Sequence, residues 1–168
     1  MSEGPNGIQD SRPGGEGPEH FDADGPEGDP HEWYQRGLEL LSRGSPAAAA
    51  QILQRAAVAE PRSRSVREAL ARAQFDARQY TEAAENFRLI VEASPADDYA
   101  HFGLGLSLAR SGDPASAAEY LALAAAMRPD NQHYIRALRA VRATLHSRSA
   151  NRGANQRADQ EADRREDA

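Results

Sequence analysis

Cysteine is absent from the 168 residues, and so is lysine, since all 20 basic side chains are Arg. Without thiols there is no disulfide framework, no thiolate zinc centre and no cysteine nucleophile, and a reducing cytoplasm is the expected compartment. Without lysine there is no Schiff-base amine and no phosphate-cradling G-x-x-x-x-G-K-[ST] loop. The all-Arg usage, together with the Ala richness, looks like the coding bias of a GC-rich bacterial genome. Long apolar runs are missing as well. The opening MSEGPNGIQDSRPGGEGPEH has neither a basic start nor an apolar stretch, so no secretion signal is expected, and nothing later approaches membrane-spanning length. Aromatics make up only 6% of the chain against 39% hydrophobic residues, which points to an all-α protein with a core of Ala and Leu rather than a sheet.

Charge is distributed unevenly. Residues 1–30 hold seven of the 13 Gly, five of the 10 Pro, eight acidic residues and one Arg, so the net charge of -6 comes essentially from this end. Such a segment buries too little apolar surface to offset its ordering, which predicts a disordered acidic arm over 1–29. Residues 148–168 carry five Arg against five acidic residues and nothing apolar larger than Ala, and a second disordered tail is expected there. The segment between is nearly neutral, with 14 Arg against 13 acids, and is the expected folded domain, 30–147.

That segment repeats. Pro61, Pro95 and Pro129 are spaced by 34 and again by 34, and aligning on them gives units 30–63, 64–97 and 98–131. Ala49, Ala83 and Ala117 then coincide, as do Leu53, Phe87 and Leu121, Ala56, Ile90 and Ala124, and Gly37, Ala71 and Gly105. Each unit breaks once in its middle, at SRGSP, DARQY and RSGDP, where Ser45-Pro46 and Asp113-Pro114 read as an N-cap followed by proline at the first helical position. Each unit is therefore a helical hairpin. After Pro129, Asp130 or Asn131 reads as the N-cap of one more helix, over 132–147, whose Tyr134, Leu138, Val141 and Leu145 fall on one face and would cover the last repeat.

The pattern W-x2-L-G-x2-Y, then A-x3-F, then P is similar to the signature of the tetratricopeptide repeat. The first unit matches it at Trp33, Gly37, Leu40, Ala49, Leu53 and Pro61, with Arg36 where Leu is usual. The third matches at His101, Leu104, Gly105, Leu108, Ala117, Leu121 and Pro129. The second begins poorly, with Arg67, Ala71 and Gln74, but keeps Leu70, Ala83, Phe87 and Pro95. The resemblance implies a right-handed superhelical stack in which the first helix of each unit lines a concave surface.

With Trp33, Gly37 and Leu40 on the packing stripe, the residues one step on lie about 100° round the helix. The resemblance then places Tyr34, Leu38, Leu41, Glu68, Arg72, Phe75, Tyr99, Phe102 and Leu106 in a groove that would hold a peptide segment of a partner protein. The competing reading is that this stripe packs helix on helix. Glu68 and Arg72, four apart, would pair with each other in the unoccupied state. Some family members grip a partner's C-terminal carboxylates with Lys, Asn and Arg, but here Lys is absent and Arg72 is the one plausible candidate, so that mode is not carried over.

Other chemistries fare worse. His31 and His133 are 102 residues apart, three periods, and would lie far from each other in a stack. The cluster of His20, Asp22, Asp24, Glu27, Asp29 and His31 fails as a calcium loop, because Gly25 comes too early and Pro26 falls where Asp or Asn is needed. No nucleophile stands beside a base, and Asp97-Asp98 reads as a turn former, so no enzyme, no metal site and no cofactor is expected. Arg136, Arg139 and Arg142 lack interleaved aromatics and read as a solvated helix face rather than a nucleic-acid surface, and no membrane contact is expected. The function expected is a non-catalytic protein-interaction adaptor. The alternatives are a self-associating structural subunit and an accessory subunit of an enzyme.

Overall fold

A computed structural model describes the backbone of residues 28–166 and the side chains of 28–156. The acidic arm expected over 1–29 lies outside the described residues except for Gly28 and Asp29, and with it His20, Asp22, Asp24 and Glu27 of the carboxylate cluster. Among the described residues there are seven helices and no strand: α1 Pro30–Ser42, α2 Pro46–Ala59, α3 Arg64–Asp76, α4 Tyr80–Ala93, α5 Asp98–Ser111, α6 Pro114–Met127 and α7 Gln132–Glu166.

The period of 34 is visible in the backbone at two places. Glu60, Ser94 and Arg128, each directly before a proline, have φ of -122, -142 and -133° with ψ of 68 to 78°. These angles lie outside the helical region, from which a following proline ring excludes the preceding residue. A turn then closes with proline in its second position, as the N–H groups of Ser63, Asp97 and Asn131 each donate to the carbonyls of Glu60, Ser94 and Arg128 at 3.0 Å. The residue closing the turn sits directly before the next helix. Asp97 accepts from the Ala100 N–H at 3.1 Å and Asn131 from the His133 N–H at 3.0 Å, whereas Ser63 makes no such bond.

Inside each hairpin the recurring element is a left-handed residue, Gly44 (φ 73°), Arg78 (φ 64°) and Gly112 (φ 104°), again at intervals of 34. It lets the N–H groups of Ser45, Gln79 and Asp113 turn back onto the carbonyls of Leu40, Gln74 and Leu108 at 2.8 to 2.9 Å, satisfying the helix end. Asp113 then caps α6 by accepting from Ser116 N–H at 3.0 Å, but Ser45, the other expected cap, makes no side-chain bond and leaves that role to Pro46 at the first helical position.

Connections this short make successive helices antiparallel, so the N-termini of the odd helices share one end of the stack. Each helix packs on its neighbours in the chain, and α1 also touches α3, α3 touches α5 and α5 touches α7. Among the described residues no two even helices approach so closely. The odd helices therefore form the tighter, inner surface and the even ones splay outward. Small residues set the separations. A Cβ on Gly105 would lie 2.6 Å from Leu121 Cγ, and one on Gly37 would overlap the isobutyl group of Leu53.

The buried side chains fall into two clusters. One joins Trp33, Ala49, Leu53, Ala56, Val66 and Leu70, with Arg55 lying over the indole at 4.7 Å. The other joins Ala71, Phe87, Leu104, Ala117 and Leu121 to Leu138 and Val141 of α7. α7 is longer than the helix expected over 132–147. Where a disordered tail was expected, the backbone stays helical to Glu166, because Ala, Arg, Gln and Glu are all good helix formers and no proline interrupts them.

Candidate functional site

On the inner surface, side chains of α3 and α5, joined by one from α4, line a cavity of about 250 Å³. Arg72, Phe75 and Asp76 come from α3, Tyr99, Phe102, Gly103 and Leu106 from α5, and Phe87 from α4. Phe87 is buried and meets Tyr99 edge to face, with ring centroids 6.2 Å apart. Its ring rests on bare helix backbone, since a Cβ on Gly103 would come within 2.5 Å of two ring carbons. That missing side chain is what lets an α4 aromatic reach the inner surface.

The cavity is apolar in its walls and charged at its rim. Arg72 is exposed and, among the described residues, has no ion pair, so its guanidinium is available to an incoming anion. Burial pushes the Tyr99 phenol above its usual range, an effect that Arg72 opposes. Phe102 stacks on Tyr134 of α7 at 4.4 Å, and Tyr134 donates to Asp98 Oδ2 at 2.9 Å, fastening the last helix to the wall of the cavity.

Burial, and then the hydrogen bond to the Asp98 carboxylate, push Tyr134 up to about 12 from 10. The folded state thus holds this proton more tightly than the unfolded one. The resulting stabilisation is complete below pH 10 and disappears as pH rises through about 12. An alkaline titration followed by tyrosinate absorbance is expected to show one late phase that Tyr134→Phe removes. If the variant titrates like the parent chain, the Tyr134–Asp98 bond does not form in solution.

Of the residues expected in a groove, Arg72, Phe75, Tyr99, Phe102 and Leu106 line this one cavity. Tyr34, Leu38 and Leu41 do not. They are half-buried against the Trp33 cluster, where helix packing accounts for them. The expected Glu68–Arg72 pair is also not what forms, because Glu68 turns back one helical turn to Arg64 at 3.6 Å, and Arg64 also reaches Asp97. Asp76, Phe87 and Gly103 were not singled out for the site. Phe87 occupies a conserved-size position of the repeat, and Gly103 is a glycine inside a helix that no coincidence of the repeats explains, which was the one usable signal.

The repeat positions Trp33, Gly37, Ala49, Ala83, Gly105 and Ala117 are buried, and Pro61, Pro95 and Pro129 are exposed in the turns. His31 and His133 begin α1 and α7, the first and last helices of the array, and His133 instead meets Arg136 at 3.1 Å. Arg136, Arg139 and Arg142 are exposed along α7. Among the described residues no three His, Asp or Glu side chains are placed to hold a metal ion, and no helix is long and apolar enough to cross a membrane.

A family model described as tetratricopeptide repeat matches residues 34–98 and, overlapping, 69–132. No curated protein sequence matches the chain. Among solved structures, MamA (residues 41 to the end) from Desulfovibrio magneticus RS-1 superposes with a TM-score of 0.66 at 22% identity, over 76% of this chain and 73% of that one. The first tetratricopeptide domain of Spaghetti (RPAP3), bound to the HSP90 peptide SRMEEVD, gives 0.64 at 16% identity over 70% and 93%. YrrB, described as having an unusual peptide-binding site, gives 0.62 at 22% identity over 67% and 58%.

Proposed function

The chain belongs to the tetratricopeptide repeat family, and from that premise we propose that it is a non-catalytic adaptor that holds a short segment of another protein against its inner surface. The interaction unit in this reading is 30–147, with repeats 30–63, 64–97 and 98–131 and the cap that follows, working in the cytoplasm. The observation that carries it is the cavity between α3 and α5, with aromatic walls on three sides and the uncommitted Arg72 at its rim. Its size suits one large apolar side chain, and Arg72 selects a carboxylate beside it. The peptide held by RPAP3 and the peptide-binding site of YrrB support the use of such a fold for short segments.

The test is selection from a displayed random peptide library. Binders should share a bulky apolar residue next to Asp, Glu or a free C-terminus. Tyr99→Ala should weaken the recovered peptides by about tenfold or more, the effect of losing about 1.4 kcal/mol of contact. Tyr99 is 37% exposed, so the helical content should be unchanged. Equal binding by parent and variant would move the interaction surface away from this cavity.

A further inference from the structure

A second cavity, of about 390 Å³, opens where α2 turns into α3, between Arg62, Arg64 and Arg67 on one side and Leu89, Ile90 and Ala93 of α4 on the other. It shares no lining residue with the aromatic cavity. Its charge runs against the helix dipole, which favours acids in a first turn. α1 and α5 obey that preference with Asp29 and Glu32 and with Asp97 and Asp98. α3 has no acid in its first turn, and α2, α6 and α7 likewise have none, but α3 also lacks a side-chain cap from Ser63 and carries Arg64 and Arg67 in that turn. Arg67 is held by the Pro61 carbonyl at 2.6 Å and Asn86 Oδ1 at 3.1 Å, and Arg64 is shared between Asp97 and Glu68. Arg62 has no ion pair among the described residues, so Arg62 and Arg67 give the cavity its net positive charge. Beside them Leu89 is 46% exposed. A local arrangement that works against its own helix is accounted for when an anionic segment with an apolar side chain covers it.

The chain carries such a segment on a short tether. Residues 19–24 read EHFDAD, with Phe21 followed by Asp22 and Asp24. The arm enters the fold at Gly28, directly before α1, at the end of the stack where α3 also begins, and α1 packs on α3. Phe21 lies seven positions before Gly28. Extended, this stretch reaches about 25 Å, against about 20 Å for the two helix-to-helix steps from α1 through α3 to α4. We propose that residues 19–24 dock in this cavity of their own chain, with Phe21 against Leu89, Ile90 and Ala93 and the two aspartates on Arg62 and Arg67.

The absence of cysteine makes a clean test possible. A nitroxide attached through Gly17→Cys in the full chain should broaden the amide resonances of Leu89, Ala93 and Ser94 beyond those of Met127 and Arg128, which lie at the same end two helices away. Arg62→Glu, Phe21→Ala and raised salt should each remove that broadening. Uniform or absent broadening, or broadening that survives Arg62→Glu and Phe21→Ala, overturns the proposal. Broadening seen only when a spin-labelled chain is mixed with an isotope-labelled, label-free one assigns the cavity to the arm of a second copy and overturns docking within one chain.

Discussion

A chain ending at residue 131 is expected to lose cooperative folding, or to aggregate, whereas one ending at 156 melts like the full chain. Tyr134, Leu138 and Val141 of α7 are buried, and the last two belong to the same cluster as Leu104, Leu108 and Leu121. Each such side chain contributes about 1.5–3 kcal/mol on burial, so losing all three removes about 5–9 kcal/mol. A domain of this size has in total about 5–15 kcal/mol of stability. The loss also strips Phe102 of its stacking partner and uncovers one wall of the aromatic cavity. Residues 148–152 of the same helix are exposed, so cutting beyond them takes nothing from the core. Thermal melts by circular dichroism with size-exclusion chromatography decide the matter. A chain ending at 131 that melts within a few degrees of the parent would mean that α7 covers nothing the stack needs.

The second large effect is expected from filling the two close approaches. Gly37→Val and Gly105→Val each force a side chain into space already occupied by Leu53 or Leu121, and at Gly105 the Ala117 carbonyl oxygen is also only 3.2 Å from the new Cβ. A leucine tip can rotate away, but a helix carbonyl cannot, so Gly105→Val should be the worse of the two. Overpacking costs about 1–3 kcal/mol per site, partly offset by the better helix propensity of Val. The two sites lie in separate clusters and share no partner, so the double variant should show the sum of the singles. Gly153→Val is the control, because a Cβ there meets nothing within 4 Å. Denaturant titration of the four variants and the parent chain measures this. If the double variant matches the parent, helices in each hairpin do not approach as closely as described.

The inner cavity is built from neighbours that no single repeat supplies. Its walls come from α3, α4 and α5, and the residues that make it unusual are Gly103 and Phe87. Gly103 sits in a helix at a cost of about 1 kcal/mol relative to Ala. The third repeat tolerates that cost because the empty Cβ position receives the Phe87 ring. In the first repeat the corresponding surface carries Tyr34, Leu38 and Leu41, which are half-buried against the Trp33 cluster.

Local rules, by themselves, settle the all-α class and the periodic backbone of this protein. A proline ring acts on the residue beside it, so Pro61, Pro95 and Pro129 dictate extended geometry at Glu60, Ser94 and Arg128 whatever lies elsewhere. The coincidence of Gly37, Ala71 and Gly105 opposite Leu53, Phe87 and Leu121 is likewise legible from spacing alone, because one period puts equivalent residues in equivalent surroundings. Helical persistence to Glu166 was legible in principle too, from helix propensity, but composition read as a whole argued for a tail. That Asp76, Phe87 and Gly103 complete the cavity while Tyr34, Leu38 and Leu41 stay out of it was decided only by tertiary structure. Phe87 reaches the inner surface through a gap in another helix, Glu68 answers Arg64 rather than Arg72, and Tyr134 closes on Phe102 from 32 residues away. The second follows Arg64 toward Asp97 at the start of α5, and the other two depend on how far two helices stand apart, a distance set by the side chains between them and by no single segment of the chain.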